Sequence, residues 1–290
     1  MERTLSAKSP EFHSRFFTYL NASGFEARAP RILTGGRSNH VWRMGDLVVK
    51  LFEPGRKNPL FANDPLREIA ALSALSGTRM VPHLVTSGHF EGRHWLAYSH
   101  IEGAPWQRGA AEVARLLGRL HDQPVFAGVP AGVNGSAMLT AQTGSILSQT
   151  QGGADLRAMR PSGQVPPASG TSLIHGDPVP GNLVAHDGTL TLIDWQCPQK
   201  GDPAEDLALF LSPAMQFLYR GKVLSRAEEA AFLAAYPDRQ VVERTEALKP
   251  WFHWRMAAYC LWKAEQGGAQ DRAAMQLEIA ALQSIIPSTA

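Results

Sequence analysis

The chain has 290 residues, of which 44% are hydrophobic and 19% charged, and its formal net charge is +2. This length and composition allow one large domain or two modest ones with a real core, and they exclude a disordered tail. A charge balance so near neutral, with no block of like charges, excludes a protein held to nucleic acid through phosphate contacts.

The two cysteines, Cys197 and Cys260, form no CxxC pair and no cluster at zinc spacing. Neither a structural zinc nor a disulfide framework is expected. The opening Met1-Glu2-Arg3-Thr4 leads into a polar stretch without the apolar core of a secretory signal. No apolar run approaches the roughly 20 residues that span a bilayer. The expectation is a cytoplasmic protein with neither nucleic-acid nor membrane partners; the oligomeric state is open.

In chain order, Pro10 to Leu20 reads as a short helix. Apolar runs follow at Asn39 to Arg43, Leu47 to Phe52, His83 to Ser87 and Trp95 to Ile101. Gly45-Asp46 and Glu91-Gly92 stand between successive runs as turn signals, which predicts antiparallel hairpins. One helix interrupts them from about Pro65 to Leu75, with Asp64 placed to cap it. After Gly103 the pattern changes. Ala110 to His121 has helical periodicity, about Pro161 to Thr171 reads as a loop, and Leu173 to Trp195 is strand-rich. From Asp202 onward the pattern is almost entirely helical. An α+β chain with two lobes is predicted: a sheet-rich part over 1–102 and a mainly helical part over 103–290.

The segment from Leu173 to Trp195 carries the chemistry. Asp187-Gly188 is a strong hairpin turn between apolar runs. Folding back on it pairs His186 with Thr189, Val184 with Thr191 and Asn182 with Ile193. Asn182 and Asp194 then meet at the open end of the hairpin, with Asp177 just upstream. An amide oxygen and a carboxylate are hard donors suited to magnesium. Singly, Asp177 and Asn182 read as turn caps and Asp194 as the end of a strand. Jointly, three such groups beside a buried hairpin are costly unless a cation or hydrogen bonds satisfy them.

His175-Gly176-Asp177, Asn182 five residues later, and Ile193-Asp194-Trp195 resemble the motifs of the aminoglycoside phosphotransferase and choline kinase family. That resemblance implies a bilobal protein-kinase-like fold and ATP-dependent phosphoryl transfer to a hydroxyl of a small-molecule acceptor. It implies Asp177 as catalytic base, and Asn182 and Asp194 as ligands of Mg2+. Pro178 is a departure from the family pattern, and it restricts Asp177 to extended backbone angles.

Lys50 lies in Leu47-Val48-Val49-Lys50-Leu51-Phe52, apolar on both faces, where a lysine must snorkel to solvent or find an anion. Glu68 on the following helix is its natural partner, and the resemblance implies that Lys50 touches the α- and β-phosphates of ATP. Gly35, Gly36 and Ser38 lie in a glycine turn that would cover the phosphates. Tyr98 to Gly103 would hold the adenine through its backbone.

Asp202, Pro203 and Glu205 suggest a capped helix start with a capping box; Asp202 and Asp206 read as structural. In the late helix, Trp251, Trp254, Tyr259 and Trp262 share roughly one face. That face is either core packing or an aromatic pocket for a quaternary ammonium. Acids are scattered in this half, so the reading leans to an amino-alcohol such as choline or ethanolamine. An aminoglycoside or thiamine acceptor and a non-catalytic nucleotide-binding role are the alternatives. No Ala-Pro-Glu follows Asp194, which argues against a protein kinase.

Overall fold

In the computed structural model, residues 10–25, 30–33, 39–55 and 57–285 are described. Gly35, Gly36 and Ser38 of the expected glycine turn lie outside them.

The sheet-rich part begins with helix α1 (Pro10–Ala22), followed by β1 (Arg31–Ile32), β2 (His40–Met44) and β3 (Leu47–Leu51). Helix α2 (Pro65–Ala74) precedes β4 (Leu84–Phe90) and β5 (Arg93–Ser99). The five strands form one antiparallel sheet in the order β1-β2-β3-β5-β4. Gly45-Asp46 and Glu91-Gly92 make the two hairpin turns, and Glu91 and Gly92 both take positive φ (46° and 74°), as a type I′ turn demands.

The unbroken apolar run of β3 is explained by cover on both faces of the sheet. Phe12, Phe16 and Leu20 of α1 pack with Trp42, Val49 and Leu51 on one side. Ala71 and Leu72 of α2, with Leu75 just past its end, pack with Val48 and Leu96 on the other. Side chains alternate along a strand, so Lys50 shares the face of Val48 and points toward α2. The Asp64 carboxylate caps α2 by accepting the N–H groups of Leu66 and Arg67, as expected.

The helical part contains β6 (Ala104–Pro105), α3 (Ala110–His121), α4 (Ser136–Leu147) and α5 (Ala154–Ala158). Strand β7 (Ser172–Ile174) and a 3-10 turn (Pro180–Asn182) lead into the hairpin of β8 (Leu183–His186) and β9 (Thr189–Leu192). After β10 (Gln199–Gly201) come α6 (Ala204–Leu211), α7 (Pro213–Arg220), α8 (Arg226–Ala235), α9 (Arg239–Glu265) and α10 (Asp271–Ile285). Strands β6-β8-β9 form a small antiparallel sheet, and β7 pairs with β10.

Two expectations about the helices are corrected. Glu205 forms no capping box, because its carboxylate is held by both terminal nitrogens of buried Arg255 (3.0 and 2.8 Å). Asp202 still accepts the Ala204 N–H but is also paired with Arg244 at 2.6 Å. The four aromatics of α9 do not act as one face. Trp251 packs with Leu139 and Leu248, while Trp254, Tyr259 and Trp262 join a separate cluster with α4, α5 and α10. Residues 251–261 are buried all round, which makes this the central helix of the bundle. Among the described residues no helix is long and apolar enough to cross a membrane.

Candidate active site

The hairpin of β8 and β9 forms in the expected register, with His186 opposite Thr189 and Val184 opposite Thr191. Asp187 and Gly188 take φ of 43° and 75°, again the type I′ combination. At the open end Asn182 leaves the strand for the 3-10 turn, yet its carbonyl still accepts the Ile193 N–H at 2.9 Å. The Asn182 amide donates to the Asp177 carbonyl (2.9 Å) and carboxylate (3.2 Å). Those bonds fix the amide orientation and leave its oxygen as an acceptor.

The backbone before Asp177 is held with little freedom. The Asp206 carboxylate, fully buried, accepts the N–H groups of His175 (2.7 Å) and Gly176 (2.8 Å). His121 bridges the same carboxylate (3.1 Å) to the Tyr236 hydroxyl (2.7 Å). Gly176 has φ +79°, and a Cβ there would stand 2.2 Å from the Cys197 carbonyl oxygen, so no other residue fits. The His175 ring donates from Nε2 to the Ile193 carbonyl (3.1 Å) and accepts the Asp177 N–H at Nδ1 (3.2 Å). Burial lowers its pKa, consistent with this neutral tautomer. The ring also stands edge-on to buried Trp195, with centroids 4.4 Å apart. One imidazole thus ties the segment carrying Asp177 to the segment carrying Asp194.

Lys50 and Glu68 meet as anticipated, with Nζ to Oε2 at 2.6 Å and both side chains almost wholly buried. The second partner of Lys50 is Asp194, 144 residues further on. Burial opposes the lysine's charge, but the Asp194 and Glu68 carboxylates outweigh it and push its pKa up. Burial pushes the Glu68 carboxyl up to about 7, against the pull of Lys50. Asp194 is a non-glycine residue at φ +65°, a conformation that costs about 1–3 kcal/mol and is kept where surroundings over-determine it. Its side chain is 30% exposed, so one lysine joins a buried carboxylate to an accessible one.

Sequence reasoning missed a polar link between the two parts of the chain. The Asn39 amide donates to Asn63 (2.8 Å) and Gln196 (3.1 Å), and its oxygen accepts the Glu53 N–H (3.1 Å). Gln196 follows Asp194-Trp195 directly, and that adjacency was the only signal available. Beyond Asp177 lies an aromatic wall. The Tyr219 ring covers Gly181 so closely that a Cβ there would stand 2.5 Å from it. The Tyr259 hydroxyl accepts from Asn58 (3.0 Å), and its ring meets Phe61 edge-on (5.1 Å) and stacks with Trp262 (6.0 Å). Burial raises the Tyr259 pKa, with the Asp177 charge a further contributor.

The geometry therefore gathers Lys50, Glu68, Asp177, Asn182 and Asp194 at the junction of sheet and helices. The phosphotransferase enzyme family matches residues 29–251, most of the chain and every one of these positions. The chain belongs to that family. Solved structures agree in fold. A choline/ethanolamine kinase family protein from Mesorhizobium loti superposes with a TM-score of 0.68 at 15% identity, covering 96% of this chain and 95% of its own. Choline kinase LicA from Streptococcus pneumoniae gives 0.66 at 18% identity, covering 94% and 99%. The GDP complex of aminoglycoside 2′-phosphotransferase-IIIa gives 0.67 at 15% identity, covering 96% and 100%. No curated protein matches the sequence. The expected α+β, protein-kinase-like fold is thus the fold of this family member, and its general activity is that of a small-molecule phosphotransferase.

Proposed function

We propose that this phosphotransferase is an ATP-dependent, magnesium-requiring kinase that phosphorylates a hydroxyl of a small molecule, an amino-alcohol of the choline or ethanolamine kind. The observation that carries the reading is Lys50 held between Glu68 and Asp194, with Asp194, Asn182 and Asp177 at one end of a hairpin. A lysine so placed can meet phosphate oxygens while it is still oriented by Glu68. The sheet part, 1–102, supplies the nucleotide side and 103–290 the acceptor side.

The donor set fits magnesium. Asp194 offers an accessible carboxylate, and the Asn182 amide is oriented through its nitrogen by Asp177 so that its oxygen remains to accept. Both are hard oxygen donors of the kind this cation takes in part while keeping water and phosphate ligands. When bound there, the cation neutralises charge on the transferring phosphate. Lys50 holds the α/β side, and Asp177 orients the acceptor hydroxyl. As the acceptor oxygen bonds to the γ-phosphorus and the bond to the ADP oxygen breaks, the hydroxyl proton passes to the Asp177 carboxylate.

The wall beside Asp177 supports this acceptor class. Tyr219, Tyr259, Trp262 and Phe61 are partly or wholly buried there, and aromatic faces attract ammonium ions. An aminoglycoside with several positive charges calls for an acidic pocket, and these neighbours are uncharged. The test is ADP release measured with choline, ethanolamine, thiamine, kanamycin and simple sugars as acceptors. Magnesium-dependent release stimulated by the amino-alcohols is expected. Stimulation by kanamycin alone would overturn the acceptor class, and no release with any acceptor would overturn the catalytic reading.

A further inference from the structure

Residues 57–63 run between β3 and α2 as neither helix nor strand. They belong to the sheet-rich part by sequence, but they make their contacts largely with the helical part. Leu60 and Phe61 pack against the apolar cluster that also holds Tyr219, Tyr259 and Trp262. The Cys197 thiol donates to the Ala62 carbonyl at 3.1 Å. Asn63 exchanges two bonds with Asn39 (2.8 and 3.1 Å), and Asn39 reaches on to Gln196.

A segment without a ladder of its own needs side chains to meet its backbone donors. Asn58 does this with one amide. Its oxygen accepts the N–H groups of Leu60 and Phe61, both at 3.0 Å, which folds the segment into a turn. Two N–H donors on one atom identify that atom as the oxygen, so the nitrogen is the end that faces Tyr259. It donates to the Tyr259 hydroxyl at 3.0 Å, across 201 residues of sequence. The oxygen shapes the segment and the nitrogen fastens it. Aspartate would shape the same turn but has no hydrogen to donate.

The fastening point is the aromatic wall beside Asp177. Phe61 stands edge-on to the Tyr259 ring at 5.1 Å, and Tyr259 stacks on Trp262. The segment thus supplies one ring of the wall and sets the place of another. At its other end it enters α2 through the Asp64 cap, and Glu68, the partner of Lys50, lies in the first turn of that helix. Seven residues therefore connect the wall to the helix that orients Lys50.

We infer that residues 57–63 form the nucleotide-side wall of the acceptor pocket, and that Asn58 is the positioning residue that sets acceptor affinity by holding Phe61 and Tyr259 together around the ammonium group. The inference rests on the amino-alcohol kinase reading given above. In it, the helical part alone presents Asp177 to the acceptor hydroxyl, while both parts of the chain build the wall that takes the cationic head.

The test is made on the full chain with choline as the acceptor. Asn58→Ala should raise the choline KM about tenfold, the worth of one hydrogen bond, with turnover at saturating choline within about threefold and magnesium-nucleotide affinity within about twofold of wild type. Tyr259→Phe keeps the ring and removes the same bond. The double variant should therefore raise KM no further than the more affected single variant, since the two changes share one interaction. An unchanged choline KM in Asn58→Ala, additive losses in the double variant, or equal losses of choline and nucleotide affinity would each overturn the assignment. Absence of choline-stimulated ADP release in the wild type would instead sink the amino-alcohol reading. The tether is then tested by amide hydrogen exchange, in which the Leu60 and Phe61 N–H groups of Tyr259→Phe should exchange at least about tenfold faster than in wild type. Equal protection in the two proteins would overturn it.

Discussion

The two sides of the proposed active site are built in different ways. On one side Asp177, Asn182 and Asp194 lie within 18 residues of sequence, and a type I′ turn brings them to one end of a hairpin. On the other side Lys50 is placed by a strand covered on both faces, and its partners are Glu68 on α2 and Asp194, 144 residues away. The first side is local geometry; the second is a buried charge that only tertiary packing satisfies. The difference teaches where each is vulnerable. A local motif fails when its backbone is forced, whereas a buried ion pair fails when one partner is taken away.

Asp194 belongs to both sides, so its loss should have the largest effect. Asp194→Ala is expected to abolish magnesium-dependent nucleotide binding in a calorimetric titration and to lower turnover by at least about 10³-fold, as removal of a main electrostatic stabiliser does. An unchanged magnesium titration would show that Asp194 does not hold the cation.

Gly176→Ala attacks only the hairpin side. The added methyl meets the Cys197 carbonyl in a left-handed backbone, so stability should fall by about 2–3 kcal/mol. Displacing Asp177 by even a fraction of its length should cost turnover about 100-fold. Nucleotide affinity measured without magnesium, proposed to rest on the lysine side, should stay near the wild-type value.

Glu68→Gln attacks only the lysine side. Lys50 keeps Asp194 but loses its buried counter-charge, and nucleotide affinity should weaken by about tenfold. Turnover at saturating nucleotide should change less than it does in Gly176→Ala. Equal losses of turnover in the two variants would show that the sides are not separable.

The smallest effect is expected from a pair outside both. Glu228 is held by Arg220, whose guanidinium also lies over the Trp106 ring at 5.0 Å. The Arg220 hydrogen bond lowers the Glu228 pKa from 4.5 to about 2. A depressed folded-state pKa gives stability that is full above the unfolded value and is lost as pH falls through the folded one. Wild type should therefore exceed Glu228→Gln by about 1 kcal/mol at pH 6, and the gap should close between pH 4.5 and pH 2 in chemical denaturation. The active site should be unaffected in this variant.

The same contrast explains what could be read from the sequence. The hairpin was legible because Asp187-Gly188 sets the turn, the turn sets the register, and the register sets who meets at its end. The strands of the sheet and the cap of α2 were legible for similar local reasons. Lys50 could be singled out as a charge in an apolar run, and Glu68 as its partner, but its bond to Asp194 joins segments that no local pattern relates. The Asn39–Gln196 link, the His121–Tyr236–Asp206 chain and the Glu205–Arg255 pair span 50 to 157 residues and are equally silent in the sequence. The aromatic residues of α9 show the opposite error. Their spacing suggested one face, but a helix buried all round has no single face, and its neighbours divide the rings between two clusters.

The most direct test of the account is Asp177→Asn, measured in parallel for nucleotide binding and for ADP release. Asn keeps the shape and the contact to Asn182 but cannot take a proton. The account predicts magnesium-nucleotide affinity within about twofold of wild type and turnover lowered by about 10²–10⁴-fold. Turnover close to wild type in that variant would contradict it.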